Sequence, residues 1–355
     1  MKRGHFIGMD AHGTFCDLAA VTDTGHLAQR QRCATQIPTL VQWLQAVPSP
    51  RRLVFEEGPL ADWLARNLRP HVDELVVCEP RRNRLIAAEG DKDDPIDALK
   101  LAQLFRGGYV KGVHHPESLE RSIFKQHVVL YHNRVSHRVA EGHRIAGLFR
   151  RHGVLLRERA FADSADRPSC LARLPANRTL RADVRVLWKG YDGAVAQEEH
   201  MRRRLVQLAK EEELLRRFEE LPGIGWVRAA TLFVYLDTPW RFASKQALWK
   251  YLGIGLQRRH SGNGPDQVQV PKQVNRLLKS TILGAAKSAV AQGSNPFAAQ
   301  QRKWVEQGLS PKLARRNVAR SLAATLWGMW KNGSAYRPEW VGVAAAAMPV
   351  AEGSR

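Results

Sequence analysis

The chain has 355 residues, and its 55 Lys and Arg against 34 Asp and Glu give a formal net charge of +21 at pH 7. A hydrophobic content of 44% with ten Trp excludes a chain that is disordered throughout. No apolar run approaches the roughly 20 residues that cross a bilayer, and residues 1–30 lack the pattern of a secretory signal, so we expect a cytoplasmic protein without membrane contact.

The positive charge is unevenly distributed along the chain. Residues 1–110 carry 14 basic and 14 acidic side chains, whereas residues 221–355 carry 19 basic and five acidic side chains. Such an excess indicates a surface that binds a polyanion. Nucleic acid is favoured over an anionic membrane, because the sequence has no amphipathic anchor and no lipidation signal.

The first third of the chain alternates apolar runs with turn signals, which is typical of an α/β domain. The first three runs predict an antiparallel meander, and the later ones predict β-α-β units. The predicted strands cover residues 6–10, 14–21, 27–35, 52–56 and 74–78, and a predicted helix covers residues 61–68. We therefore expect a mixed sheet with helices on its faces over residues 1–110.

The remainder of the chain is predicted to be mostly helical. Two long charged segments joined by a Pro/Ser-containing linker predict a helical hairpin or coiled-coil arm over residues 111–218. Shorter helices follow in a domain over residues 219–335, and residues 336–355 form a flexible tail. The segments predicted to be helical are 119–151, 180–217, 226–235, 245–252 and 272–292, with a last helix capped by Ser310.

Four acids in the first third are placed where metal chemistry would need them. Asp10 and Glu56 each end a predicted strand, and the edge formed by strand ends is where α/β active sites gather. Asp94 and Asp97 are three residues apart at the start of a predicted helix, so both lie on one helical face. Carboxylate oxygens suit Mg²⁺ or Mn²⁺. A solvated acidic run that caps the helix would explain Asp94 and Asp97 equally well.

Two features of the basic region have a chemical and a plain structural interpretation. Ser261 lies between cations and a glycine-containing loop, which suits a nucleophile beside a phosphate, although Ser-Gly-Asn-Gly is also typical of a turn. Residues 221–225, Leu-Pro-Gly-Ile-Gly, precede a predicted helix in the manner of a helix-hairpin-helix motif. Their backbone amides would meet DNA phosphates, or the segment would only connect two helices.

Taken in order, these motifs resemble the DEDD-type insertion-sequence transposases of the IS-one-ten family. The likeness covers residues 5–110 and 218–332, with the helical middle as a variable arm. The residues that carry it are Asp10 in Ile-Gly-Met-Asp, Glu56 in Val-Phe-Glu-Glu-Gly, Asp94 and Asp97 in Lys-x-Asp-x-x-Asp-Ala, the hairpin at 221–225, Trp240-Arg241-Phe242, Tyr251-Leu252-Gly253, Ser261-Gly262 and Pro271-Lys272.

The resemblance implies a DNA recombinase with two catalytic parts. One is a RuvC-like, ribonuclease-H-like domain that binds Mg²⁺ through Asp10, Glu56, Asp94 and Asp97. The other is a helical domain in which Ser261 attacks the DNA backbone to give a phosphoserine link. The resemblance further implies donor and target DNA, a structured bridge RNA as guide, a homo-oligomer (dimer or tetramer) and association with the nucleoid.

The sequence is compatible with two choices of metal ligand and with two other functions. Glu57 directly follows Glu56, so that either glutamate could be the metal ligand, and Glu56 is chosen for its spacing to Trp63 and Leu64. A metal-dependent nuclease for branched DNA that uses only the acids, and a nucleic-acid-binding protein without catalysis, are the competing hypotheses.

Overall fold

The computed structural model describes residues 4–79, 94–115, 118–259, 267–269 and 273–341. Ser261 and the side chain of Asp94 lie outside the described residues. The chain divides into two compact units, Met1–Ser122 and Ile123–Arg355.

The first unit is built on a six-stranded mixed sheet with the strand order β3-β2-β1-β4-β5-β6. Strand β1 pairs antiparallel with β2 and parallel with β4, β2 pairs antiparallel with β3, and β5 lies between parallel β4 and antiparallel β6. The strands are β1 His5–Ala11, β2 Phe15–Thr22, β3 Leu27–Ala34, β4 Arg51–Glu56, β5 Glu74–Cys78 and β6 Gly112–Val113. The predicted meander and β-α-β units are confirmed.

Helices cover both faces of this sheet. Helices α1 (Ile37–Ala46) and α2 (Ala61–Leu68) bury their apolar faces against one side of the sheet, and α3 (Asp94–Arg106) packs on the other. The sequence analysis missed α1, because residues 36–46 contain Pro38 and give a short pattern. The proline is tolerated in the first turn, and Leu40, Trp43 and Leu44 at helical spacing are buried.

The second unit begins with two long helices joined by a compact linker. Helix α4 (Leu119–Arg151) runs antiparallel to α7 (Arg178–Glu211), because His127 of α4 lies beside Met201 of α7 and Glu141 of α4 beside Gly190 of α7. Arg134 Nη1 of α4 donates to Gln197 Oε1 of α7 over 3.0 Å, so the two helices lie side by side. The linker contains two short helices, α5 Arg159–Ala162 and α6 Arg167–Ala172, and forms a small core with the ends of the long helices.

The rest of the second unit is a helical bundle with one small hairpin. Its elements are α8 Glu213–Glu219, α9 Trp226–Leu236, α10 Lys245–Tyr251, β7 Gln257–Arg259, β8 Gln267–Gln269, α11 Arg276–Ala291, α12 Pro296–Glu306 and α13 Pro311–Asn332. The Ser310 cap is confirmed, since its hydroxyl accepts from the backbone N–H of Leu313 over 3.4 Å. Helix α12 and the β7–β8 pair were missed. An α/β part followed by mostly helices is confirmed.

No helix within the described ranges is both long and apolar enough to cross a membrane.

Candidate functional site

Asp10 and Glu56 lie side by side at one edge of the first unit's sheet. In the parallel pair β1–β4, Met9 is the register partner of Phe55, and the next position on each strand is Asp10 and Glu56 respectively. Residues at matching positions of parallel strands project from the same face. Both carboxylates therefore belong to one face of the sheet at the carboxyl ends of its central strands.

That face is the one that α3 covers. The rings of Phe6 and Phe105 meet edge to face at 5.7 Å, and side-chain alternation places Phe6, Gly8 and Asp10 on one side of β1. A Cβ on Gly8 would lie 2.0 Å from the carbonyl oxygen of Ala98, a distance that atoms do not tolerate. Glycine at this position lets the backbone of α3 rest directly on β1.

These contacts set the direction of α3. Phe105 lies beside Phe6 and Ala98 beside Gly8, so the helix runs antiparallel to β1 and its first residues extend toward Asp10. Asp94 is four residues before Ala98, which is about 6 Å along the helix at 1.5 Å per residue. Asp10 is two residues after Gly8, which is about 6.6 Å along the strand. The two lengths are nearly equal. The half-buried Asp97 lies within the stretch from Asp94 to Ala98. The fold thus directs the acidic start of α3 to the edge that holds Asp10 and Glu56.

The chemistry of these donors fits a hard divalent cation, since carboxylate oxygens are the ligands that Mg²⁺ and Mn²⁺ prefer. Within the part of the chain that the structure describes, no three His, Cys, Asp or Glu side chains are grouped closely enough to hold a metal ion. The side chain of Asp94 does not belong to that part. Asp10, Glu56 and Asp97 as described thus do not form a metal site by themselves.

Two residues beside Asp10 were missed by the sequence analysis. His12 Nε2 lies 3.0 Å from Asp10 Oδ2, and Asp17 on β2 is the register partner of Asp10. Asp17 is buried and paired with Arg32, whose Nη2 donates to Asp17 Oδ2 over 2.8 Å. A histidine two residues after a strand-ending Asp was a usable signal. Asp17 gave no such signal, because most residues of its strand are apolar on both faces.

A second candidate region is the turn at residues 221–225 of the helical unit. Gly223 has φ +81°, and a Cβ there would lie 2.2 Å from the carbonyl oxygen of Ala285, so this position requires glycine. Arg228 Nη1 donates to Gly223 O over 2.6 Å and to Ser288 Oγ over 2.9 Å. Burial lowers the pKa of Arg228 below its ordinary value. The turn is therefore tied to both α9 and α11.

The amino end of α9 lines an open cavity of about 450 Å³ together with Arg202 and Arg203 of α7. Gly225 caps the helix without a side chain, so the first backbone N–H groups of α9 have no side-chain acceptor at the cap. Both arginines lie within 4.0 Å of Glu199. Backbone donors and guanidinium groups together suit a phosphate oxygen.

Ser261 lies in the sequence between β7 and β8, in a segment outside the described residues. The two strands are antiparallel, with Arg259 opposite Gln267. The chain before β7 is held by α13, because Arg320 Nε donates to the carbonyl oxygen of Ile254 over 2.9 Å. The structure therefore fixes the chain leading into the Ser261 segment.

Comparison with known proteins bears on this helical unit. Residues 215–301 match the family model described as "Transposase IS116/IS110/IS902 family". This part of the chain is therefore similar to the transposase domain that the family model describes. It includes the turn at 221–225, the amino end of α9 and both strands that flank Ser261 in the sequence.

The proposed transposase y4pF/y4sB of Sinorhizobium fredii is a similar protein, with 25% identity over 138 residues. The match covers 38% of this chain and 35% of the relative, so the chain spans about a third of the length of that protein. Both similarities agree with the resemblance that the sequence motifs indicated.

Proposed function

We propose that the protein is the transposase of an insertion sequence and acts as a recombinase that cuts and rejoins DNA. The observation that carries this proposal is the family match over residues 215–301, the region that contains Ser261. The basic character of the last part of the chain agrees, since residues 221–355 have 19 basic and five acidic side chains.

The first unit is proposed to be a RuvC-like, ribonuclease-H-like metal-binding domain. Support comes from its mixed sheet, with three antiparallel strands followed by two strands parallel to β1. Further support comes from α3, which packs on β1 at Gly8 and directs its acidic start toward Asp10. In this proposal Asp10, Glu56, Asp94 and Asp97 hold Mg²⁺ or Mn²⁺. The bound ion would offset negative charge on the phosphate and on the leaving oxygen.

The second unit is proposed to supply the nucleophile. The Oγ of Ser261 forms a bond to phosphorus, the phosphorus–oxygen bond to the DNA sugar breaks, and the serine proton ends on the leaving sugar oxygen. A sugar hydroxyl of another strand then attacks the phosphoserine, and Ser261 regains its proton. No net hydrolysis occurs, so the joined product retains every phosphodiester bond.

The proposed partners are donor DNA, target DNA and a structured bridge RNA that guides the enzyme. Amides at the amino end of α9, with Arg202 and Arg203 beside them, are suited to phosphate contacts that position a nucleic acid without reading its sequence. A homo-oligomer, dimer or tetramer, is proposed because a long arm separates the acids from Ser261 in the sequence.

A covalent-adduct assay tests this proposal. The full-length protein is incubated with Mg²⁺, DNA from the ends of its own element and RNA transcribed from the flanking noncoding segment, and denaturing gels detect protein-linked DNA. We expect wild-type protein and Ser280→Ala to form the adduct and Ser261→Ala to form none. Asp97→Ala is expected to abolish strand exchange.

Two results would overturn the proposal. An adduct at full level in Ser261→Ala would exclude this serine as the nucleophile. Cleavage of branched DNA without any adduct, and equal in Ser261→Ala, would identify a metal-dependent nuclease that uses activated water.

A further inference from the structure

Trp240 is exposed on the second unit at a fixed position. The residue exposes 71% of its surface, although tryptophan usually buries most of its area. It stands on a 3₁₀ turn, Pro239–Arg241, in which Pro239 is buried and the Trp240 backbone N–H donates to Thr238 Oγ1 over 3.4 Å. The ring is therefore presented to solvent by an anchored backbone.

Two side chains of α13 complete what we name the Trp240 cluster: Trp240, Trp327 and Lys331. Lys331 Nζ lies 4.1 Å from the ring centroid of Trp327 and 5.0 Å from that of Trp240. Trp327 Nε1 donates to the carbonyl oxygen of Pro239 over 2.8 Å, which fixes the helix to the 3₁₀ turn. An ammonium group and an exposed indole ring thus share one surface.

The same face of α13 carries two arginines. Arg320 is seven residues before Trp327 and Arg316 is 11 residues before it. At these helical spacings, both arginines lie on the same face of α13 as Trp327. The pKa of Arg320 lies below its ordinary value because of burial and, next, the charge of Arg316. Neither arginine forms an ion pair with any described acidic side chain. Repulsion between them would be relieved by an anion.

From these contacts we infer that the Trp240 cluster stacks an unpaired base of a DNA strand, while the arginine face of α13 holds the phosphates of that strand. An exposed aromatic ring with cations beside it is the arrangement that binds single strands without sequence preference. Duplex DNA offers no comparable partner, because its bases are already stacked on one another. The stretch of α13 from Arg320 to Lys331 is about 16 Å long. This length is enough for contacts with several phosphates of one strand.

This inference rests on the proposed function and deepens it. An enzyme that exchanges strands must hold segments of DNA that have left the duplex. Arg320 also contacts Ile254, at the base of the chain that leads to Ser261. The proposed surface would therefore hold an unpaired strand beside the chain that leads to the proposed nucleophile.

Fluorescence anisotropy with the full-length protein, freed of co-purifying nucleic acid, tests the inference. The probes are a fluorescein-labelled oligo(dT) strand, its oligo(dA) duplex and an oligo(U) RNA strand. We expect Trp240→Ala to raise the Kd for oligo(dT) about 5- to 100-fold and to leave the Kd for the duplex unchanged. Trp240→Tyr, which keeps an aromatic face, should restore most of the affinity.

The controls separate stacking from charge. Trp63→Ala removes an exposed tryptophan of the first unit and should leave all three Kd values unchanged. Lys331→Gln should lower the slope of log Kd against log salt for oligo(dT) by about 0.7, whereas Trp240→Ala should leave that slope as it is.

The outcomes distinguish this inference from the proposed function. Wild-type protein that binds neither single-stranded nor duplex DNA would overturn both. Wild-type binding with an unchanged oligo(dT) Kd in Trp240→Ala, or with an equal loss for the duplex, would overturn the inference alone. A loss confined to oligo(U) would overturn it in favour of an RNA strand.

Discussion

Gly8 and Ala98 are in direct contact between strand β1 and helix α3, and the position of Gly8 leaves no room for a Cβ, which would approach the Ala98 carbonyl oxygen to 2.0 Å. This contact fixes how far the acidic start of α3 lies from the strand that carries Asp10. The proposed metal site therefore depends on a residue that has no side chain.

We expect Gly8→Ala to push α3 away from the sheet. The clash is with helix backbone, which cannot rotate aside, so the loss in the free energy of unfolding should be about 3 kcal/mol. Gly13→Ala is the matched control, because a Cβ there meets no atom within 4 Å. Urea unfolding of both variants provides the measurement. Equal stability of Gly8→Ala and Gly13→Ala would refute the close approach.

A second pair of glycines tests the turn at residues 221–225. Gly223→Ala would combine a positive φ with a Cβ 2.2 Å from the Ala285 carbonyl oxygen, and we expect a loss of at least about 2 kcal/mol. Gly225→Ala should cost less than about 1 kcal/mol, since its Cβ would meet open space. Thermal unfolding compares them. A Tm for Gly223→Ala as high as that of Gly225→Ala would show that the turn is not packed against α11.

Arg32 is expected to stabilise the first unit by neutralising the buried carboxylate of Asp17. Arg32→Ala leaves that carboxylate without its charged partner, and the expected loss is about 1–3 kcal/mol, moderated because Arg32 is half exposed. The double variant Asp17→Asn with Arg32→Ala should lose less than the two single losses added together. A double-mutant cycle by urea unfolding gives the coupling. Strict additivity would show that the two side chains do not interact.

His132 makes the stability of the second unit depend on pH. Burial lowers the pKa of His132 below its ordinary value of 6.5, while its Nε2 bonds to Thr231 Oγ1 over 2.8 Å. The unfolded chain therefore binds a proton more readily than the folded chain, and the stabilisation present above pH 6.5 is lost as the pH falls below it. We expect His132→Asn to flatten this dependence. The measurement is the free energy of unfolding of both proteins between pH 8 and 5. An equal change with pH in the two proteins would contradict a role of His132.

Periodicity in the sequence was enough to locate the elements with strong local signals. Helix α4 was predicted at residues 119–151, helix α2 at 61–68 and strand β5 at 74–78, and each matches the structure. These segments owe their structure to their own apolar pattern and to the breakers at their ends. The mixed sheet followed from their order along the chain.

Some features of the structure depend on contacts between segments, while helix α12 was missed although its start carries a local signal, Asn295 followed by Pro296. Helix α12 owes its place to packing on α11 and α13, and its Asn295 cap accepts from the backbone N–H of Ala298 over 3.0 Å. The acids at strand ends were identified from spacing, whereas Asp17 became visible only through the register of β1 and β2. Pairing between strands decides which side chains share a face, and local patterns do not contain it.

Mn²⁺ binding measured by electron paramagnetic resonance tests most directly the proposal that the acids on the α3 face of the sheet hold a divalent cation. The decisive comparison is Glu56→Gln, on the face beside Asp10, against Glu57→Gln, on the exposed neighbour. We expect Glu56→Gln to weaken Mn²⁺ binding by about tenfold or more and Glu57→Gln to bind as the wild type does. Wild-type affinity in Glu56→Gln would contradict a metal site that includes Glu56.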